Sequence, residues 1–365
     1  MKNLTLLFLL ALLSAAPMRG QSSADGPIDF SKAREFLQRE QRGEKLTPEE
    51  QAYLTRAKAM RQAKGGGRGP GGEQRKAPDR LKPLSDMTGD EKYEGEDGGL
   101  YGGGGNTPPE AHRLAAEAQL ARIQPLNAAG EPDAKGTIGF ISISMSNATQ
   151  EFSVFKRIAD EAPVKSPKVT IVDCAQGGQA MAEWAPPDAM TWEQAKRRLQ
   201  SAGVTPEQVQ VAWVKLANKS PSGSLEQHGK KLEADTLAVL HNARALFPNL
   251  RIAYLGSRIW AGNATGGLNP EPYAYESAFP ARWLIQRQIK GDPALVTDKC
   301  PLLLWGPYLW AEGEKGRKSD SLAWKPEDFS GDGVHPSDSG RRKVAELLLT
   351  FFSTDPLAKS WFAAK

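Results

Sequence analysis

The chain has 365 residues, with 47 Lys and Arg against 43 Asp and Glu, a net charge of +4 at neutral pH and two cysteines. So small a net charge, without a long basic run, gives nucleic-acid binding no electrostatic footing. Two cysteines exclude a disulfide-rich scaffold and a zinc site built on cysteines.

Met1 to Gln21 has a lysine near its start, the apolar stretch LTLLFLLALL and then small residues, the layout of a secretory signal. Its apolar run is too short to span a bilayer, and no lipoprotein cysteine follows it. The mature chain is therefore expected to be exported, periplasmic or extracellular, with no stable membrane insertion and no nucleic-acid partner. Export would permit a bridge between Cys174 and Cys300, but sequence spacing leaves that open.

Residues 22–90 read as an N-terminal extension. Within it, Ser31 to Lys64 has the pattern of a charged helical hairpin. There, Thr47-Pro48-Glu49-Glu50 combines a capping threonine, proline at the first helical position and a glutamate able to return the cap. Gly65 to Gly72 is glycine-rich and basic, the composition of a flexible linker. Residues 91–135 lead into the core. Gly98 to Gly105 is again dense in glycine, but Leu100 and Tyr101 within it predict a loop that docks. Pro108 to Ile123 reads as a helix, with His112 expected at its surface.

From Gly136 the rhythm is regular, and 136–365 is expected to form one domain. Short apolar runs predict strands at Thr137 to Ile143, Val169 to Asp173, Val209 to Leu216, Arg251 to Leu255 and Leu302 to Leu304. Helical periodicity separates them at Gln150 to Glu161, Trp192 to Gln200, Leu225 to Leu246 and Glu276 to Ile289. A last helix, Asp338 to Phe352, turns Val344, Leu347, Leu348 and Phe351 to one face. The polar helix at 225–246 is expected to leave His228 and His241 on the surface. Such alternation predicts an α/β fold with a parallel sheet covered on both faces and right-handed crossovers. Ligand sites in open sheets of this kind gather at the carboxyl ends of the strands.

Those strand ends carry the chemistry-bearing residues. The first strand runs into Ser144-Met145-Ser146, where strand period changes to helical period. A serine on such a turn sits beside helix amides free to bind an oxyanion. The second strand leads to Gly177-Gly178, whose backbone can approach a ligand closely. The third ends at Asn218, which offers a side-chain donor. Together with the serine's own amide these would hold the charge of a tetrahedral intermediate. Before the last helix, Asp332 and His335 lie three apart around a glycine-containing turn, so the carboxylate can orient one imidazole nitrogen and aim the other at a serine.

Residues Gly136 to Phe352 resemble the SGNH, or GDSL-like, hydrolases. Asp332-Gly333-Val334-His335-Pro336-Ser337 is similar to the family's last block; Ser146 matches the nucleophile, Gly178 the oxyanion glycine and Asn218 the oxyanion asparagine. The resemblance implies a three-layer α/β/α, flavodoxin-like fold, a serine mechanism without metal or other cofactor, and hydrolysis of esters. Two family aspartates are absent: Ser144-Met145-Ser146 stands for Gly-Asp-Ser, and Leu216-Ala217-Asn218-Lys219 for Gly-x-Asn-Asp.

Each of these residues also has a plainer role. Ser146 could simply cap a helix, with Ser142 and Ser144 as rival nucleophiles; Gly177 or Gly178 could make a turn; Asn218-Lys219-Ser220 has the form of a glycan acceptor. Asp328-x-Ser330-x-Asp332-Gly333 imitates the start of a calcium loop but has Ser339 where the last ligand should be. Trp184, Trp213, Trp260, Trp305 and Trp310 fall in or near strand ends; most are expected in the core, and a few at the rim would form a stacking wall for sugar rings. The expected substrate is a small-molecule or polysaccharide ester, with short acyl groups on carbohydrate foremost and lipid esters second. A glycan-binding protein that keeps the scaffold without catalysis is the competing expectation.

Overall fold

The computed structural model describes residues 75–78 and 80–364, together with 46–65 and scattered positions between 28 and 44. The signal-like stretch, Ser31 and nearly all of the glycine-rich linker lie outside the described residues. Two compact units divide at Gly67 and Arg68. In the first, helix α1 (Pro48–Gly65) starts where the capping box predicts. The Glu50 N–H donates to Thr47 Oγ1 at 3.2 Å, and the Thr47 N–H donates to Glu50 Oε2 at 2.9 Å. Phe36, Leu54 and Ala57 are buried there.

The second unit is built on five parallel strands, β1 (Ile138–Ile143), β2 (Val169–Val172), β3 (Val209–Lys215), β4 (Ile252–Gly256) and β5 (Leu302–Trp305), in the order β2-β1-β3-β4-β5. Their β-branched and leucine-rich sequences fit strands covered on both faces. Alternate side chains enter two separate cores. Ile141, Ile143, Ala212, Val214, Ala253, Leu255 and Leu303 face one, and Phe140, Val211, Trp213, Ile252, Tyr254 and Leu304 face the other. The chain is thus a three-layer α/β/α protein, flavodoxin-like in strand order.

Before the sheet lies helix α2 (Glu110–Leu120). Helices α3 (Ser146–Glu161) and α9 (Asp338–Thr354) cover the second core with the short α10 (Lys359–Phe362). The first is covered by α4 (Met181–Trp184), α5 (Met190–Ser201), α6 (Leu225–Leu246) and α8 (Ala278–Ile289), the last preceded by α7 (Tyr273–Glu276). An aromatic cluster anchors α3: the Phe140 ring lies 5.2 Å from Phe152 and 4.8 Å from Phe352, and Phe152 stacks on Trp213 at 5.6 Å. The glycine-dense loop docks as expected, its Leu100 carbonyl accepting from Trp305 Nε1 at 2.7 Å. Arg282, fully buried, ties the same loop down through the Asp97 carbonyl at 2.6 Å and Glu96 Oε2 at 2.5 Å.

Several expectations are corrected. His112 and His228 are buried, not on the surface: the first meets the Leu303 carbonyl at 2.8 Å and the second meets Glu276 Oε2 at 2.5 Å. Half-buried His241 meets the Ala294 carbonyl at 2.7 Å. On α9 the inward face is Val344, Ala345, Leu348 and Phe352, while Leu347 and Phe351 are only partly covered. Cys174 and Cys300 are both free and buried, and burial pushes each thiol above its usual range. The tryptophans, by contrast, follow expectation: Trp184, Trp213, Trp305 and Trp310 are core residues, and of the five near strand ends Trp260 alone is partly exposed.

Candidate active site

The strand order reverses at β1, which has β2 on one side and β3 on the other, so the crevice above its carboxyl end is where this topology leaves room for a ligand. At that end Ser144 has φ of +136°, a conformation that glycine takes more easily, and is fully buried. The turn is held by the Ser144 carbonyl, which accepts from the Gln176 N–H at 2.8 Å and from Trp184 Nε1 at 3.3 Å. Helix α3 then begins four residues earlier than its periodicity predicts, with Met145 as N-cap and Ser146 as its first residue. Ser146 is therefore not the cap, and its hydroxyl turns to another segment. The rivals are occupied elsewhere: Ser142 Oγ donates to Asp173 Oδ1 at 2.5 Å, and Ser144 Oγ lies 2.8 Å from Met145 Sδ.

Ser146 Oγ lies 2.7 Å from His335 Nε2, across 189 positions of sequence. His335 Nδ1 lies 2.5 Å from Asp332 Oδ2. The other carboxylate oxygen, Asp332 Oδ1, accepts the backbone N–H of Val334 at 3.0 Å and of His335 at 2.9 Å. Burial works against ionisation of Asp332, but the hydrogen bonds from the His335 ring and from these two amides outweigh it and hold the carboxyl well below its usual range.

Two contacts fix this turn. Asn147 Nδ2 donates to the Val334 carbonyl at 2.9 Å, tying the first turn of α3 to the histidine segment. Gly333 has φ of +66°, and a Cβ there would lie 1.9 Å from the Asn263 carbonyl oxygen, so only glycine fits. Ser337 caps α9, its Oγ accepting from the Gly340 N–H at 3.4 Å. Asp328 accepts from the Lys325 N–H at 3.0 Å and from Ser339 Oγ at 2.9 Å, and pairs with Lys343. Its oxygens and those of Asp332 are thus engaged within the protein.

The expected oxyanion donors differ among themselves. Gly178 has φ of +77°, is exposed, and has open space where a Cβ would stand. Neither its N–H nor that of Ser146 has a partner among the described residues. Asn218 is held more tightly: its Oδ1 accepts the Ala182 N–H at 2.9 Å and its Nδ2 donates to Asp235 Oδ2 at 2.5 Å. One amide N–H of Asn218 is left without a protein partner among the described residues.

A buried charge cluster lies at the same edge of the sheet and escaped sequence reading. Lys215, the last residue of β3, places Nζ 2.6 and 2.5 Å from the two oxygens of Glu151 on α3, and neither side chain is exposed. Burial pushes the Lys215 ammonium down to about 8, against the pull of Glu151. Arg258, just past β4, is also buried, and its Nε and Nη2 have no partner among the described residues. Burial lowers it to about 10, opposed by Glu151, Glu271 and Asp332. Glu151 and Lys215 are 64 positions apart, so no local spacing could have signalled the pair.

Beyond the Asp332 turn lies a cavity of about 280 Å³, lined by Trp260, Ala261, Gly262, Glu271 and Trp310 among others. Ala264 in its wall is followed by Thr265, whose N–H donates to the Asp332 carbonyl at 3.1 Å. Burial raises Glu271 to about 7, although it accepts from Trp310 Nε1 at 2.8 Å and from the Ala261 N–H at 2.9 Å.

No protein-family model matches the chain, and no curated protein does. Solved structures that resemble it include a candidate acylhydrolase from Bacteroides fragilis, 14% identical, covering 69% of this chain and 100% of that one, with a TM-score of 0.35. A protein from Arabidopsis thaliana is 14% identical over 56% of this chain and 67% of its own, with a TM-score of 0.32. The periplasmic domain of a lipopolysaccharide acetyltransferase from Salmonella ser. Paratyphi A is 13% identical over 67% of this chain and 96% of its own, also with a TM-score of 0.32. Likenesses so distant carry nothing about this chain's chemistry, which has to be read from its own residues.

Proposed function

We propose that the chain is an exported serine hydrolase of carboxylic esters. The supporting observation is the unbroken relay from Ser146 Oγ through His335 to Asp332, at 2.7 and 2.5 Å, above the carboxyl edge of the sheet. In this reading Ser146 Oγ forms a bond to the ester carbonyl carbon while its proton passes to His335 Nε2. The ester C–O bond then breaks as His335 returns that proton to the departing alcohol. Water, deprotonated by the same nitrogen, attacks the acyl-serine, and Ser146 leaves as the free hydroxyl beside the carboxylic acid product. The N–H groups of Ser146 and Gly178 and the remaining amide N–H of Asn218 stabilise the oxyanion.

Short acyl groups on carbohydrate remain the preferred substrate class. A cavity of about 280 Å³ near the Asp332 turn, lined by Trp260 and Glu271 and not by Ser146 or His335, has room for a sugar ring of such a substrate. The burial of four tryptophans removes the broad stacking wall, so Trp260 is the only aromatic platform this reading retains. The commitment of Asn218 to Asp235 favours a second reading, a glycan-binding protein on the same scaffold without turnover.

An organophosphonate serine probe and a short-chain aryl ester separate the two. The enzyme reading expects labelling and turnover, both abolished in Ser146→Ala. Turnover that survives this substitution, or a folded wild-type chain that neither labels nor turns over, overturns it.

A further inference from the structure

At the amino-terminal edge of the sheet, away from the catalytic turn, is a cleft of about 350 Å³ whose charged lining groups are both guanidiniums, Arg122 and Arg251. Arg251 immediately precedes β4, while Arg258 and the residues of the relay lie at or beyond the opposite strand ends. Five residues of strand put roughly 17 Å between the two edges.

The cleft is built rather than incidental. Gln210, in its wall, is locked by both backbone groups of Gln124: its Nε2 donates to the Gln124 carbonyl at 2.8 Å and its Oε1 accepts the Gln124 N–H at 3.2 Å. Asn249 Nδ2 donates to the Glu207 carbonyl at 2.8 Å, and Asn249 Oδ1 accepts from Arg251 Nη2 at 3.1 Å. With the Gln210 and Asn249 amides fixed in this way, the guanidiniums are the charged donors that remain. Arg251 Nε is buried without a partner, and the Arg122 guanidinium has no hydrogen bond or ion pair among the described residues.

No carboxylate lines the cleft. Glu131, between the wall residues Gly130 and Pro132, accepts from Asn127 Nδ2 at 3.2 Å. Glu207 presents its backbone carbonyl, not its carboxylate, to Asn249. Burial lowers the Arg251 pKa, and the neighbouring charges of Arg122 and Arg244 lower it further. Two uncompensated cations therefore share one concave space and repel each other. A single carboxylate would satisfy only one planar fork; a doubly charged tetrahedral oxyanion has oxygens and charge enough for both.

We propose that this cleft binds a doubly charged tetrahedral oxyanion between Arg122 and Arg251, either free phosphate or sulfate or a phosphate monoester on a sugar. The inference is independent of the ester-hydrolase reading, because it uses none of that site's residues.

Calorimetric titration of the full chain with inorganic phosphate, inorganic sulfate and glucose 6-phosphate tests it, at about 0.15 M salt so that surface charges are screened. Saturable one-to-one binding is expected, weakened about tenfold in Arg122→Gln, since a charge-assisted pair is lost. Arg122 is exposed, so this variant folds even if Arg251→Gln does not, and its unfolding midpoint serves as the control. Tighter binding of glucose 6-phosphate than of inorganic phosphate assigns the site to a sugar-borne group, and equal or weaker binding assigns it to the free ion. Absence of saturable binding, or affinity unchanged in Arg122→Gln, overturns the proposal.

Discussion

Replacing Asp332 with asparagine tests the relay more sharply than removing the nucleophile, because the structure dictates which way the new amide must face. Asp332 Oδ1 accepts two backbone N–H groups, from Val334 and His335, so only the carbonyl oxygen of an asparagine can occupy that position. Its NH2 group must then face His335 Nδ1, where the Oδ2 acceptor stood. The ring nitrogen that now donates becomes an acceptor, and the imidazole proton moves to Nε2, pointing at Ser146. A protonated Nε2 cannot take the serine's proton. The same inversion in serine proteases lowers turnover by about 10⁴-fold, equivalent to about 5 kcal/mol of barrier at 1.36 kcal/mol per decade. The two backbone hydrogen bonds survive, so the fold should change little. The assay is kcat/KM on a short-chain aryl ester, with denaturant unfolding alongside. A folded Asp332→Asn protein that keeps activity within tenfold of wild type refutes the proton-transfer role of this pair.

Three further outcomes follow from the same geometry. Lys215→Met leaves Glu151 fully buried without its partner and should cost about 3–5 kcal/mol in urea unfolding; adding Glu151→Leu should recover most of it, and equal losses in single and double variants would contradict a coupled pair. Gly333→Ala sets a Cβ against the Asn263 carbonyl at a positive φ and should destabilise by at least about 2 kcal/mol, with ester turnover lost together with the turn; an unchanged melting temperature would contradict the required close approach. The depressed pKa of Asp332 stabilises the folded state above its ordinary value of 3.8, and that contribution disappears as pH falls through the lower folded-state value. The difference in melting temperature between wild type and Asp332→Asn should accordingly be full at pH 6 and shrink below about pH 4; a difference that grows in acid has the wrong sign for this carboxylate.

The sequence alone determined what short-range pattern encodes. Short, continuous apolar runs give the five strands, a change to helical period marks the turn at Ser146, and the close spacing of Asp332 and His335 fixes an acid beside an imidazole, because dihedral preference and local apolar pattern act over a few residues. Only the tertiary structure decided what depends on segments distant in sequence. It brings Ser146 to His335 and pairs Asn218 with Asp235. It also buries Glu151 against Lys215, 64 positions apart, and withdraws His112, His228 and four tryptophans into the interior. Polar residues on an apparently solvated helix face read the same whether water or a buried partner meets them. Local pattern cannot distinguish these cases, because the free energy that separates them comes from desolvation and pairing across the folded core.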